Sequence, residues 1–337
     1  MAEALKIGLT FDRPEDYGIE SNSSVFADFS TEKEILHLAD AIKRCGHEVE
    51  LIGNMYKLKE RFESHSFDCD LVFVTDEGIS SRNREMLVPA LLELNGVPYI
   101  GSDTYAMGLS QNKLHTKLVA RYLGIKTPRE IYVPYDMFGK AQMVDYIESG
   151  LRQEELKFPL VVKPNCEGYS MGVFKVETFE ELMEKVAYNM ETYHQEVLCE
   201  EYIPGEEINV PVVGTGASAY VLGVDICKHE DGSNIDIFTL HHKCFEPIVD
   251  EAVEYGKQTM DTIFDWTLKL HRHFGCRHFS RADYKVTEDK EVYFLELNPR
   301  PGLTENGPFE TCAKSIGKTY DEVVGEIIRC AIPERGV

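Results

Sequence analysis

Short apolar runs and amphipathic stretches alternate along the first hundred residues. LKIGLTF (5–11), EVELIG (48–53), DLVFVTD (70–76) and VPYIG (97–101) read as strands, each bounded by polar or turn-forming residues. Thr31 and Glu34 have the spacing of a capping box and open a helix over 32–45. Ile35, Leu38, Ala39 and Ile42 fall on one stripe of that helix, and Gly46 stops it. A second helix is expected over 83–94, with Met86, Leu87, Ala90, Leu91 and Leu94 as its core-facing stripe. The β-α-β order implies a parallel sheet with helices on both faces. After the first strand comes TFDRPEDYG rather than GxGxxG, which excludes a dinucleotide site.

The pattern then changes. A helical stretch over 106–124 leads through Pro128 into FPLVVKPNCEGYSMGVFKV (158–176), which reads as strand, glycine-bearing loop, strand. A helix (178–192) and the strand EVLCEEYI (196–203) follow. Beyond Pro204-Gly205 the chain is strand-rich, with EINVPVVG, AYVLGVDIC and DIFTLHHKCF, then a helix over 251–273. GTGASA (214–219) joins two predicted strands and reads as a hairpin turn. HFSRADYKVTEDKEVYFLELNPRPGLT (278–304) gives two strands around a polar turn, and a helix over 321–331 closes the chain. The expected class is α/β: a Rossmann-like parallel-sheet domain over 1–105, a central lobe over 106–203 and a C-terminal lobe over 204–337.

The last strand pair carries the most informative chemistry. Arg281 and Asp283 are two apart and share a face, as do Glu296 and Asn298. Pairing the strands gathers three oxygen donors (Asp283, Glu296, Asn298) beside one cation, a set suited to Mg²⁺ and phosphates. Lys163 ends a strand before the loop EGYSMG, where Gly168 and Gly172 free backbone N–H groups and Ser170 adds a hydroxyl. Lys113 and Lys243 are further phosphate-binding candidates. Glu200, Glu201 and Glu207 flank PGEE and are placed to take adenine or ribose donors; alternation sends one of Glu200 and Glu201 inward and leaves open which. HHKCFEP (241–247) is the candidate lid. His271, His273, Cys276 and His278 fit no standard zinc spacing and read as a helix end and a strand start.

Composition narrows the class. A chain of 337 residues exceeds one ordinary core, so two or three domains are expected. The net charge of −23 argues against nucleic-acid binding through the general field. It also repels ATP, so a nucleotide site needs a local cluster of Lys and Arg. Nine cysteines without a CxxC pair suit a reduced, cytoplasmic protein. MAEALKIGLTF lacks the basic start and long apolar run of a signal peptide, and no run reaches the ~18 apolar residues of a spanning helix. No membrane partner is expected.

Several separate blocks, in order and at the right spacing, resemble the ATP-grasp superfamily, and within it the D-alanine–D-alanine ligase-like branch. GVPYIGSDTYAMGLSQNKLHTKLVARYLGIKTP is similar to the family's segment linking first and second domains. FPLVVKPNCEGYSMGVFKV, EVLCEEYIPGEEINV and RADY…YFLELNPRPGLT are similar to its triphosphate loop, hinge strand and metal strands. The resemblance implies a two-lobed ATP-grasp fold behind the N-terminal domain, with ATP bound between the lobes. Lys113 and Lys163 would contact phosphates, Glu200 the adenine amino group with Glu201 and backbone near Tyr202 and Ile203 alongside, and Glu207 the ribose. Lys243 would reach the γ-phosphate. Asp283, Glu296 and Asn298 would hold two Mg²⁺ ions, with Mn²⁺ as the alternative, and Arg281 would stabilise the acyl-phosphate and tetrahedral intermediate. The family also implies a homodimer through the N-terminal domain, with the helix over 83–94 as contact.

The amino-acid half departs from that branch. FDRPEDYGIESNS and TDEGISSRNREMLVPALLE replace its N-terminal substrate signatures. Tyr169 stands where a serine is usual, and Cys244 where an aromatic is common. Gly307 stands at the serine that holds the second substrate's carboxylate, and Arg300 replaces a small polar residue. The expected activity is an ATP- and Mg²⁺-dependent carboxylate–amine ligase joining two amino acids or small acids, with a product other than D-Ala–D-Ala. Arg300 is a candidate carboxylate clamp; Glu77, Arg82 and Arg84 are candidates for the first substrate. The alternatives are D-alanine–D-alanine ligase itself, a ligase acting on a carrier-bound or peptide partner, and an inactive nucleotide-binding sensor or assembly protein.

Overall fold

A computed structural model describes residues 4–18, 26–79, 81–136 and 139–332. The first layer contains β1 (Lys6–Thr10), α1 (Glu32–Arg44), β2 (Glu48–Gly53), α2 (Met55–Glu63), β3 (Leu71–Val74), α3 (Leu87–Leu94) and β4 (Tyr99–Ile100). Its strands run parallel in the order β2-β1-β3-β4. The capping box forms as expected: Thr31 Oγ1 accepts from Glu34 N–H, and Glu34 accepts from Thr31 N–H at 2.7 Å. The α1 stripe of Ile35, Leu38, Ala39 and Ile42 is buried against Ile7, Leu9 and Phe73. The opposite face of the sheet, Val72 and Val74, packs on Leu58 of α2 and on Val88 and Leu92 of α3.

Next come α4 (Thr104–Gln111) and α5 (Lys113–Tyr122). They replace the single helix expected over 106–124. Asn112 between them is extended (ψ 102°), and its side chain accepts from His115 N–H at 2.9 Å, so it caps α5 instead of continuing α4. Then β5 (Glu130–Val133), α6 (Lys140–Gln153), β6 (Leu160–Pro164), β7 (Phe174–Val176), α7 (Phe179–Tyr193) and β8 (Val197–Glu201) build an antiparallel sheet in the order β5-β8-β6-β7. Ile131, Val162 and Cys199 face α6 and α7 in one core. By strand alternation the other face carries Lys163 and Glu200.

The third sheet is also antiparallel, β12-β11-β9-β13-β14, with β10 on β9. Its elements are β9 (Glu206–Val213), β10 (Tyr220–Val221), β11 (Asp225–His229), α8 (Leu240–Phe245), β12 (Ile248–Ala252), α9 (Lys257–His273), β13 (Phe279–Val286), β14 (Val292–Asn298), α10 (Pro308–Ser315) and α11 (Tyr320–Ala331). Ile208, Val210, Ala282 and Tyr284 pack against Ile263 and Leu270 of α9. The opposite face is polar. From α11, Val323, Val324 and Ile327 complete the core of the first sheet. Among the described residues no helix is long and apolar enough to cross a membrane.

Four expectations need correction. The α3 stripe is turned: Val88 and Leu92 are buried, whereas Leu87 and Leu94 are exposed, Leu94 by 84%. Residues 84–86 form a tighter 3₁₀ turn, so the α-helix starts at Leu87 with a different face inward. DIFTLHHKCF is no strand, because Thr239 and His242 cap the short helix α8. The helix expected from 251 starts at Lys257; residues 248–252 are β12, hydrogen-bonded to β11. Finally, α2, α6 and α10 were not anticipated. GTGASA does form the hairpin turn between β9 and β10. Residues 19–23 of FDRPEDYGIESNS, and Ser80, lie outside the described residues.

Candidate nucleotide and metal site

The polar faces of the second and third sheets look at each other across a cleft of about 750 Å³. Its walls include Lys113, Lys163, Ser170, Glu200, Glu201, Tyr202, Ile203, Glu207, Asp283 and Glu296, ten of the sequence-selected residues.

On the second sheet, Glu200 of β8 is 3% exposed. Lys163 Nζ lies 2.7 Å from one of its oxygens and Lys117 Nζ 2.9 Å from the other. Burial pushes the Glu200 carboxyl up, but Lys117 and Lys163 outweigh it and hold it below the usual range. The Glu201 carboxylate turns to the other side of the strand and meets Arg129 at 2.7 Å, partly exposed. The inward residue is therefore Glu200. The Tyr202 hydroxyl bonds Asp236, and the Lys175 ammonium stands 4.0 Å from the centre of its ring.

The loop after β6 departs from the glycine rationale at one end. Gly172 is left-handed (φ 69°), and a Cβ there would meet Asn189 Oδ1 at 2.4 Å, so glycine is required. Gly168 is neither left-handed nor crowded. Tyr169 and Ser170 carry the left-handed backbone instead, at φ 53° and 60°. Lys113 Nζ donates to Glu167 O at 2.6 Å and pairs with Glu296 Oε2 at 2.9 Å.

On the third sheet, the register sets Asp283 opposite Glu296 and Arg281 opposite Asn298. Arg281 Nε and Nη2 grip the two Asp283 oxygens at 2.7 Å each, and Asn298 Nδ2 donates to Asp283 Oδ2 at 3.0 Å. Burial pushes Asp283 up further than Arg281 draws it back, and Glu296 and Glu207 add to the rise. Glu296 moves the other way: burial raises it, but Lys113 and Lys163 pull it below the carboxylate range. Buried oxygen donors, one of them raised by burial and further by neighbouring carboxylates, fit a divalent cation, which would offset both effects.

Lys243, on α8, lies 4.5 Å from the centre of the Tyr169 ring and 5.2 Å from that of Phe238. Burial and the Arg281 charge push its ammonium down to about 8. The structure thus brings Lys243 toward Arg281, Asp283 and Glu296.

The candidates for the amino-acid substrates are dispersed. A second cavity of about 450 Å³, between the first sheet and residues 300–304, is lined by Glu77, Arg300, Phe73 and Thr304 among others. Arg300 Nη2 is 3.2 Å from Glu77 Oε2, not near Glu305 or Glu310, which pair with Lys33 and Lys314. Buried Arg300 nonetheless leaves Nε and Nη2 without a well-aimed hydrogen-bond acceptor. Arg84 spans to Asp28 at 2.7 Å and Glu167 at 3.5 Å, tying the first domain to the loop after β6. Arg82 points outward to Glu196 and lines neither cavity. Gly307 precedes α10, and a Cβ there would meet Thr304 Oγ1 at 2.2 Å, so a serine would need the Thr304 hydroxyl turned aside.

Two charged residues of the cleft region went unread. Lys117 is fully buried between Glu200 and Glu130, and Lys285 donates to Asp236 O at 2.6 Å while facing Glu207 at 3.5 Å. Lys117 sits one helical turn after Lys113, which was a usable signal. Lys285 shares a strand face with Arg281 and Asp283, which was another. His271 and His278 prove structural: their Nδ1 atoms meet Ser280 Oγ and Gly101 N–H.

Two antiparallel sheets closing on a lysine-rich cleft, with paired carboxylates on the last hairpin, define an ATP-grasp protein. The family model for the D-ala D-ala ligase C-terminus matches residues 130–329. A D-alanine–D-alanine ligase from Bordetella petrii is 32% identical over 242 residues, 70% of this chain and 69% of that protein. In three dimensions the chain is similar to D-alanine–D-alanine ligase from Bacillus anthracis complexed with ATP (TM-score 0.74, 22% identity, 98% of both chains). It is similar as well to the VanG D-Ala:D-Ser ligase from Enterococcus faecalis (TM-score 0.73, 20% identity, 98% of this chain and 100% of that one). The chain belongs to the D-alanine–D-alanine ligase family.

Proposed function

We propose that this protein is an ATP- and Mg²⁺-dependent ligase that joins two amino acids or small acids through an acyl-phosphate, to a product other than D-Ala–D-Ala. The observation that carries the reading is the facing of Asp283 and Glu296 with Lys113 and Lys163 across one cleft, with Arg281 and Asn298 paired beside those carboxylates on the hairpin.

In this reading adenine meets Glu200 and the backbone at Tyr202 and Ile203, and Glu207 takes the ribose. Lys113, Lys163 and the loop around Ser170 take the phosphates. Asp283, Glu296 and Asn298 hold Mg²⁺, which supplies charge neutralisation at the phosphates. A substrate carboxylate oxygen attacks the γ-phosphorus; the new P–O bond forms as the bond to the ADP oxygen breaks. An amine then attacks the acyl carbon, loses a proton, and inorganic phosphate leaves. Arg281 stabilises the oxyanion of that second step, and Lys243 the γ-phosphoryl group in the first. Lys243 enters from α8, which shields the acyl-phosphate from water.

The altered product rests on the second cavity. Arg300 offers donors to a substrate carboxylate, Glu77 offers a counter-charge to an amine, and Gly307 leaves no side chain where the family places a serine. ADP release with pooled D- and L-amino acids, followed by product mass, tests both parts. Amino-acid-stimulated ADP with a condensed pair supports the ligase. No stimulation under Mg²⁺ would favour a nucleotide-binding sensor, and D-Ala–D-Ala as main product would overturn the altered specificity.

A further inference from the structure

His229 on β11, His242 on α8 and Glu246 just after it bring three ligand atoms within 4.8 Å of one another. His229 Nδ1 is 3.2 Å from Glu246 Oε2, and His242 Nε2 is 4.0 Å from Glu246 Oε1. The imidazoles lie with ring centres 5.6 Å apart. Bonds of about 2.0–2.1 Å in a tetrahedral site put ligand atoms about 3.3 Å from each other, so small rotations of these side chains close the site. Two imidazoles and a carboxylate suit a borderline transition cation and not Mg²⁺, which seeks oxygen donors.

His242 Nδ1 accepts from Thr239 N–H at 3.1 Å, with Thr239 Oγ1 at 2.8 Å. That contact leaves the ring proton on Nε2, so taking a cation there moves the proton to Nδ1, which exchanges the bond from Thr239 N–H for one given to Thr239 Oγ1. All three ligand side chains are partly open, at 20–30% exposure, so an ion has access. His241 Nε2, 3.4 Å from Glu246 Oε1, lies at the margin of the group and is mostly exposed.

The geometry points to a Zn²⁺-class site formed by His229, His242 and Glu246 that staples α8 to the end of β11. Since Lys243 directly follows His242, the ion fixes the segment that delivers Lys243 to the cleft. The metal site stands whether or not the ligase reading holds; only its consequence for turnover rests on that reading.

The test is a Zn²⁺ titration of metal-stripped protein against a chromophoric chelator, in excess Mg²⁺ to fill oxygen sites. One Zn²⁺ per chain is expected, retained in Asp283→Asn. Loss of an outer partner alone costs about 10–100-fold, so His229→Ala and His242→Ala are expected to weaken Zn²⁺ at least ~100-fold. His229→Gln serves if the alanine variant does not fold. Zn²⁺ should also slow tryptic cleavage at Lys243 in the unaltered chain and not in His229→Ala. No Zn²⁺ uptake over Mg²⁺, or a Zn²⁺ affinity in both histidine variants unchanged from that of the unaltered chain, would overturn the site; equal cleavage rates with and without Zn²⁺ would overturn the staple.

Discussion

The Lys243 ammonium rests 4.5 Å from the centre of the Tyr169 ring, so the short helix α8 touches the loop after β6. Burial and Arg281 disfavour the charged amine and bring it down to about 8 from 10.5. Below about pH 8 Lys243 carries its charge; above that it becomes neutral and no longer attracts a γ-phosphate. In the ligase reading, kcat/KM for ATP falls as pH rises through about 8. Lys243→Arg should move that limb upward, since a guanidinium stays charged. The stability contribution has the opposite slope: the unfolded chain holds this proton up to 10.5, so stability from this group rises with pH between about 8 and 10.5. An identical alkaline limb in Lys243→Arg would assign the fall to another group.

Glu296 pairs with Lys113 at 2.9 Å while standing opposite Asp283. Glu296→Gln keeps the side-chain shape and the hairpin but removes a charge that both Lys113 and a cation would use. Folding should persist by circular dichroism, with turnover down about 10²–10³-fold, the scale of losing one charge-stabilising group. Asp283→Asn should raise the Mg²⁺ concentration needed for half-maximal rate. Unchanged rates and Mg²⁺ titrations in the two variants would remove these carboxylates from the metal site.

Glu200 and Glu201 are neighbours in sequence with different surroundings. Glu200→Ala strands Lys163 and part of the Lys117 charge in a buried place, which should cost about 3–5 kcal/mol. Glu201 pairs with Arg129 near solvent, and its alanine variant should cost no more than ~1 kcal/mol. Urea denaturation of both measures the difference. Equal losses would contradict the inward placement of Glu200.

What the chain reveals before folding depends on distance along it. The α1 capping box and the β13–β14 hairpin were legible because their signals are local: Thr31 with Glu34, and two alternating strands around one polar turn. Their register put Asp283 and Glu296 together without knowledge of any other element. The segment over 236–252 was misread because His242 caps α8 through a side chain outside the usual capping set, while β12, IVDEA, lacks the apolar–polar alternation of a half-buried strand. Arg300 shows the limit for sites. Nothing near it in sequence names Glu77 as its partner, because that contact joins the first sheet to the end of the last hairpin.

Arg300 is also the sharpest probe of substrate choice. It is buried at 8% exposure, faces Glu77 at 3.2 Å, and holds Nε and Nη2 donors without aimed acceptors. A planar guanidinium that can engage a carboxylate by two bonds is not replaced by an ammonium. Arg300→Lys retains the charge beside Glu77, so folding should be kept. If Arg300 clamps one substrate, the KM of that amino acid rises by about 10–100-fold, the value of a charged hydrogen bond of about 1.5–3 kcal/mol. The KM for ATP, bound in the other cavity, should move little. A rise in the ATP KM alone, with the amino-acid KM values unchanged, would make Arg300 a structural tie between domains and return the second cavity to an unassigned void.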